Sequence, residues 1–377
     1  KIQPSDAPST STAVSLAGPR DSFQSAQLVV RGLDGRLAGV TASATDLSDG
    51  AGNAIPAANV VLFLEKYIDF TGIDAIGGKE PVPESSATSD GRIPDPLVPL
   101  VDPYTGADLG QPFAVAAGEV QPLFVEVHVP RGIPAGAYTG GVAVRAEGQA
   151  EISIPVTVDV WDLDLPDMNS LTTHFRLSVN DLIRYHRDTW ACSGDNCWLE
   201  WLDQSRLVVK RYEELAHAHR LDVAEEFVRE PDNGCAPPAD TDWNGYDADM
   251  APYMDGSYFA DGVPSGRLPT PFNPGVDWGL EAECTQAEYT ALAAAWASHL
   301  KEKGWFDRAI VYAYDEPPAE AYPTIALHSS WLQAGDPDWK ARVMDTTSPD
   351  ADNVATLNPA LGIYCVAPSW YDDWSHT

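Results

Sequence analysis

The chain has 377 residues, 44% of them hydrophobic, with 12 Trp, 14 Tyr and 10 Phe, which is enough apolar surface for about two domains and too much for a disordered chain. Its formal charge of −33 excludes nucleic acid and anionic membrane surfaces as partners, because their phosphates repel it. No run approaches the roughly 18–20 apolar residues of a membrane helix, so no membrane insertion is expected.

The chain opens "KIQPSDAPSTSTAV", without Met and without an apolar signal core, which reads as a processed mature end or a trimmed one rather than a native start, and is compatible with export. From there to residue 165 the sequence alternates in short segments: "SAQLVVRGL", "ANVVLFLEKYI", "LFVEVHVP", "AYTGGVAVRA" and "EISIPVTVDVW". Period-two alternation bounded by Gly, Pro, Asp and Ser is the pattern of antiparallel strands, so residues 1–165 are expected to form a β-sandwich. The Pro-, Gly- and Asp-rich stretch 71–122 is expected to be an excursion with little regular structure.

The pattern changes near "VWDLDLPDMNS". Helical periodicity appears over 205–221 and 285–305, with strand-like runs at "LTTHFRLS", "DVAEEFV", "RAIVYAY", "KARVMDTT" and "LGIYCVAPSW". Strand and helix in alternation predict parallel βα units, so residues 166–377 are expected to be a (β/α)8-type, TIM-barrel-like domain. Only about five or six units are visible where the barrel needs eight, so the barrel is expected to be incomplete at the C-terminus, the sequence being part of a longer polypeptide. The aromatic-rich insertion 229–279 is expected to be a long loop shaping a binding site.

Among the 5 cysteines, Cys192 and Cys197 in "CSGDNC" can close a small ring, and Cys235 and Cys284 can pair across a loop-rich stretch, leaving Cys365 over. Disulfides imply an oxidising, extracellular compartment. No CxxC or His cluster suggests zinc; no cofactor is expected, although irregular calcium coordination by the many loop acids stays open.

The segment "VYAYDEPP", residues 311–318, is the candidate for the chemistry. Gly304 after "KEK" is a natural helix end, so 309–314 is expected to be a buried strand, stopped by Pro317 and Pro318, which cannot donate to a ladder. Asp315 and Glu316 then fall at the strand's carboxyl end, the catalytic face of a barrel. Two neighbouring carboxylates there can divide labour, one as proton donor and one as ionised partner, as glycosidic cleavage requires. The alternative is an acidic cap on the following helix. No GxSxG elbow, P-loop or HExxH is present.

"PRDSFQSAQLVVR", "GRIPDPLVPL", "QPLFVEVHVPRGIPAGAYTGGVAV", "VDVWDLDLP" and "VYAYDEPP" occur in the order seen in glycoside hydrolase family 123 and its relatives, which the chain resembles over nearly its whole length. The resemblance implies a β-sandwich followed by a TIM-type barrel. It also implies a retaining β-N-acetylgalactosaminidase-like activity on a glycan, in which the substrate's own 2-acetamido oxygen attacks the anomeric carbon. By the same resemblance Asp315 orients the acetamido group and Glu316 is the general acid, then base. The rival expectation is a non-catalytic extracellular structural or glycan-binding protein on the same scaffold.

Candidate substrate-binding residues are Tyr314 beside the pair, Asp345 at the end of "RVMD", Trp370 and Tyr371 in "SWYDDW", Arg176 and Asn180 after the first barrel strand, and Tyr253 and Asp255 in the insertion. Trp370 and Tyr371 suit stacking on a sugar face; Asp372 and Asp373 read as solvated. Tyr258 is a further candidate, Tyr312 and His174 read as core, and His217 and His219 cannot share a helical face.

Overall fold

A computed structural model describes residues 11–69, 92–169, 171–175, 177–192, 197–223, 227–231, 233–276, 279–347 and 355–366. The chain divides into two compact units, Lys1–Pro166 and Asp167–Thr377.

In the first unit β1 (Val14–Arg20) and β2 (Ser22–Arg31) are separated by one residue, Asp21. Its φ of 62° lies in the left-handed region, which Asp tolerates better than most residues, and Arg131 donates to its carboxylate at 2.7 Å. There follow β3 (Leu37–Ala44), β4 (Leu47–Ser48), β5 (Ala54–Ile55), β6 (Val60–Asp69), β7 (Arg92–Pro99), β8 (Phe113–Val115), β9 (Val120–Val129), β10 (Gly136–Arg145) and β11 (Ile152–Asp164). One sheet runs β1-β11-β10-β3-β8, with β4 on β10 and β5 on β4; the other runs β2-β9-β6-β7. Pairing is antiparallel except for β1 on β11, registered at Val14 and Val156.

The alternation read from the sequence is what closes this unit. Leu123, Val125, Val127 and Val129 point inward from β9 and are fully buried, as are Tyr138, Val142, Val156 and Val158 from β10 and β11. Both sets share one core, so the sheets pack face to face as a sandwich. Each such Val or Leu contributes roughly 1.5–3 kcal/mol by leaving water. The expected irregular stretch 71–122 is corrected where it is described: β7, β8 and the start of β9 lie within it. Three prolines hide β7 from a strand pattern, yet it pairs only with β6 at the sheet edge, where a missing N–H costs no ladder bond.

The second unit contains α1 (Val179–His186), α2 (Trp198–Ala218), α3 (Trp243–Asp255), β12 (Leu268–Pro269), α4 (Leu280–Glu283), α5 (Gln286–Lys303), β13 (Ala309–Tyr312), α6 (Tyr322–Gly335), β14 (Val343–Asp345) and β15 (Ile363–Tyr364). The four strands form one parallel sheet in chain order, and Phe175 and Val223 add a parallel bridge. A closed (β/α)8 barrel is not what the described residues form; they form an open parallel sheet with crossover helices. α5 shows why its bounds were legible: the Thr285 hydroxyl accepts from the Glu288 amide, the Glu288 carboxylate accepts from the Thr285 amide, and Gly304 ends the helix at φ 71°.

The insertion 229–279 differs from the expected loop. It folds into α3, whose Trp243, Tyr246, Met250, Tyr253 and Met254 are buried in the main core with Trp296 and Phe272. Trp243 stacks on His299 with ring centroids 3.9 Å apart. These aromatics are core because α3 packs on α5. Among the described residues no helix is long and apolar enough to cross a membrane. Cys192–Cys197 and Cys235–Cys284 are disulfides, and Cys365, just beyond β15, is free and exposed.

Candidate active site

β13 ends where the two prolines require, and the chain leaves it with Asp315 and Glu316 both exposed at its carboxyl end. Two side chains, Tyr312 of β13 and Thr346 just after β14, fix this turn. The Tyr312 hydroxyl donates to Asp315 Oδ1 at 2.8 Å, and the Thr346 hydroxyl donates to the same oxygen at 3.0 Å. The Glu316 amide in turn donates to Thr346 Oγ1 at 2.6 Å. That bond holds Glu316 at φ 51°, a left-handed backbone uncommon for a residue with a side chain and a mark of functional turns. Neither acid caps a helix: the 3-10 turn at Ala319–Ala321 and α6 begin at Pro318 and Ala321 without a side-chain cap. Among the described residues neither forms an ion pair, so Asp315 is held by hydroxyls while the Glu316 carboxylate stays open to solvent.

Beside the pair, burial raises the carboxyl of Asp345. It is fully buried, and neither of its oxygens has a hydrogen-bond partner. Burial pushes it up to about 7; the nearby Thr346 amide pulls the other way without reaching hydrogen-bond geometry, and the Asp315 charge adds to the rise. Tyr364, opposite it on β15, has a buried hydroxyl that is also unpartnered. Tyr312 is pushed up to about 12, by burial first and then by Asp315. On its other side the Tyr312 ring lies 5.4 Å from that of His174, whose Nδ1 accepts from buried Arg267 at 2.6 Å. Burial, then the Arg267 charge, lowers His174 to about 4.

A cleft of about 370 Å³ opens beyond β12, lined among others by Glu230, Asn233, Asn273, Glu281 and Glu283. Glu281 is anchored by the Asn273 amide and the Tyr289 hydroxyl, each at 2.7 Å. Glu230 reaches solvent, yet the cleft walls desolvate its carboxyl enough to raise it. Among the described residues no three His, Cys, Asp or Glu side chains gather to hold a metal ion.

The expected site residues separate into three groups. Asp315, Glu316 and Asp345 come together with Tyr312, which the sequence had suggested for the core. Tyr314 adjoins them in the chain but packs on the main core beside Gly275. Asn180 lies exposed in the first turn of α1. Tyr253 and Asp255 are not brought to the pair: Arg308, just before β13, donates to the carbonyls of Met254 and Ser265, which puts this segment at the amino end of the strand. There Tyr253 and Tyr258 donate to buried Glu213, and Asp255 accepts from the Ser257 amide. Arg176, Trp370 and Tyr371 lie outside the described residues, as do Asp372 and Asp373. Thr346 and Arg267 are the additions. Only Thr346 had a signal, its place after "RVMD".

Thr346→Val removes the hydroxyl that both Asp315 and the Glu316 amide use. Because a displacement of about 1 Å at a reacting group can cost on the order of 100-fold, turnover by this variant is expected to fall roughly 10- to 100-fold with folding retained. Steady-state kinetics beside thermal unfolding checks this, and unchanged kcat would show that the clamp is dispensable.

Residues 1–146 match the family described as glycoside hydrolase 123 N-terminal domain. A solved family 123 glycoside hydrolase from Clostridium perfringens, studied for glycolipid glycan hydrolysis, matches 95% of this chain at 14% identity and a TM-score of 0.53. The chain spans 63% of the length of that structure. Two others carry no weight: the N-terminal domain of PorA, with 9% identity, 40% of this chain, 88% of its own and a TM-score of 0.20, and a Bacteroides ovatus GH5 xyloglucanase with XXXG heptasaccharide, with 10%, 91%, 66% and 0.17. Among curated proteins no sequence matches.

The first unit is thus a β-sandwich similar to the N-terminal domain of that family, followed by a parallel α/β unit with carboxylates at its strand ends. The chain is similar to glycoside hydrolase family 123, in sequence over residues 1–146 and in fold over 95% of its length.

Proposed function

We propose that the chain cleaves β-linked 2-acetamido sugars, N-acetylgalactosamine first among them, with retention and with the substrate's acetamido oxygen as nucleophile. The observation that carries this reading is the asymmetry of the pair. Asp315 is clamped through Oδ1 by two hydroxyls, as suits a group that must orient and stabilise the acetamido N–H in one geometry. Glu316 keeps its carboxylate free on a fixed backbone, as suits an acid that protonates the leaving oxygen and then, as base, activates water.

Neither step calls for a metal. The two disulfides favour an extracellular setting. A non-catalytic scaffold would have suited a pair locked in salt bridges, and the described residues hold no such bridge to Asp315 or Glu316. The test is a panel of aryl β-glycosides with and without a 2-acetamido group. Cleavage confined to the acetamido sugars is expected, and equal cleavage of both sets would remove substrate assistance.

A further inference from the structure

His174 enters the site from the segment that precedes the Phe175 bridge to Val223, and its contacts fix its chemistry. Arg267 Nη1 approaches Nδ1 at 2.6 Å, and Arg267 is fully buried. A guanidinium carries no lone pair and keeps its charge, so in this contact Nδ1 can only accept. The ring proton must then sit on Nε2. Protonating Nδ1 would break the contact and set two cations side by side; burial and the Arg267 charge already hold His174 down to about 4.

Nε2 has no hydrogen-bond partner among the described residues, and the ring is only part-buried. The ring stands 5.4 Å from that of Tyr312, whose hydroxyl positions Asp315. A donor of fixed tautomer, uncharged and unspent, thus lies one side chain away from the acidic pair.

We propose that His174 is a substrate-binding residue of this site, a permanently neutral Nε2–H donor to an uncharged oxygen acceptor on the sugar. This rests on the glycosidase reading, and it assigns His174 no part in proton transfer. Arg267 acts through it, as the positioning residue that sets the tautomer.

Two measurements on the full chain test it. Long-range ¹⁵N–¹H correlation is expected to show His174 protonated on Nε2 and unchanged from pH 8 to pH 5; a proton on Nδ1, or titration near the ordinary histidine value, overturns the proposal. In kinetics, one lost neutral hydrogen bond predicts a KM roughly 3- to 10-fold higher for His174→Phe with kcat little changed, and His174→Gln, which keeps an N–H donor, is expected to recover most of the loss. Cleavage by wild type with an unchanged KM in His174→Phe overturns the proposal while leaving the glycosidase reading intact. If wild type cleaves no glycoside, that reading fails by itself. Titration with N-acetylgalactosamine then decides: a moved His174 Nε2 resonance supports the donor role, and an unmoved one overturns it.

Discussion

Glu316→Gln is expected to lower turnover of aryl 2-acetamido-β-glycosides by roughly 10²–10⁴-fold, the usual span of a lost general acid or base. The loss should be largest on glycosides with poor leaving groups, because a good leaving group departs without a proton. Asp315→Asn should cost a similar factor with a different signature. It keeps a carbonyl oxygen for Tyr312 and Thr346 but removes the charge that stabilises the acetamido-derived intermediate, so the loss should be nearly independent of the leaving group. Plotting log kcat/KM against leaving-group pKa separates the two. Parallel lines for both variants would show that the roles are not divided, and rates equal to wild type would remove the pair from catalysis. Thermal unfolding should change little in either, since both side chains are exposed.

The second large effect concerns stability, through Asp345. Its folded value of about 7 lies above the ordinary 3.8, so the folded state binds this proton more tightly than the unfolded chain does. The stabilisation is fully present below about pH 4 and is lost as pH rises through about 7. At about 1.4 kcal/mol per pH unit, the loss is on the order of 4 kcal/mol. Asp345→Asn cannot ionise, so it should match wild type near pH 4 and exceed it near pH 8 by a margin of that order. Denaturant unfolding at a series of pH values measures the difference directly. A constant offset across the range would mean that Asp345 does not titrate there.

The parts of the fold that could be read from the chain are those whose stabilising contacts are local or periodic. Inward valines at period two gave the sandwich strands; Thr285, Glu288 and Gly304 gave α5 its ends; Pro317 and Pro318 gave the position of the acids. Elements defined by distant partners stayed hidden. β7 looks unlike a strand until β6 is beside it, and α3 reads as an acidic, Gly- and Pro-containing loop until its aromatic face meets α5. The same holds within the site. His174 and Arg267 are 93 residues apart, and Thr346 lies 31 residues beyond Asp315. No spacing rule joins such pairs, because the parallel sheet brings the ends of successive strands together only once the intervening helices have packed. The expectation of a barrel came from the same βα alternation, which sets parallel pairing without setting closure.

Cys235 sits between Gly234 and Ala236 on one wall of the cleft beyond β12, and its partner Cys284 follows Glu283 on the other. The bond therefore ties together the two banks that carry Asn233 and Glu230 on one side and Glu281 and Glu283 on the other. One bank is thus joined to the other by a covalent clasp, in addition to the hydrogen bonds that hold Glu281, while the turn bearing Asp315 and Glu316 is set by hydroxyl contacts that no reductant touches. Maturation in an oxidising compartment would thus act on one part of this face and leave the other unaffected, so that two neighbouring regions of a single surface answer to different chemical environments.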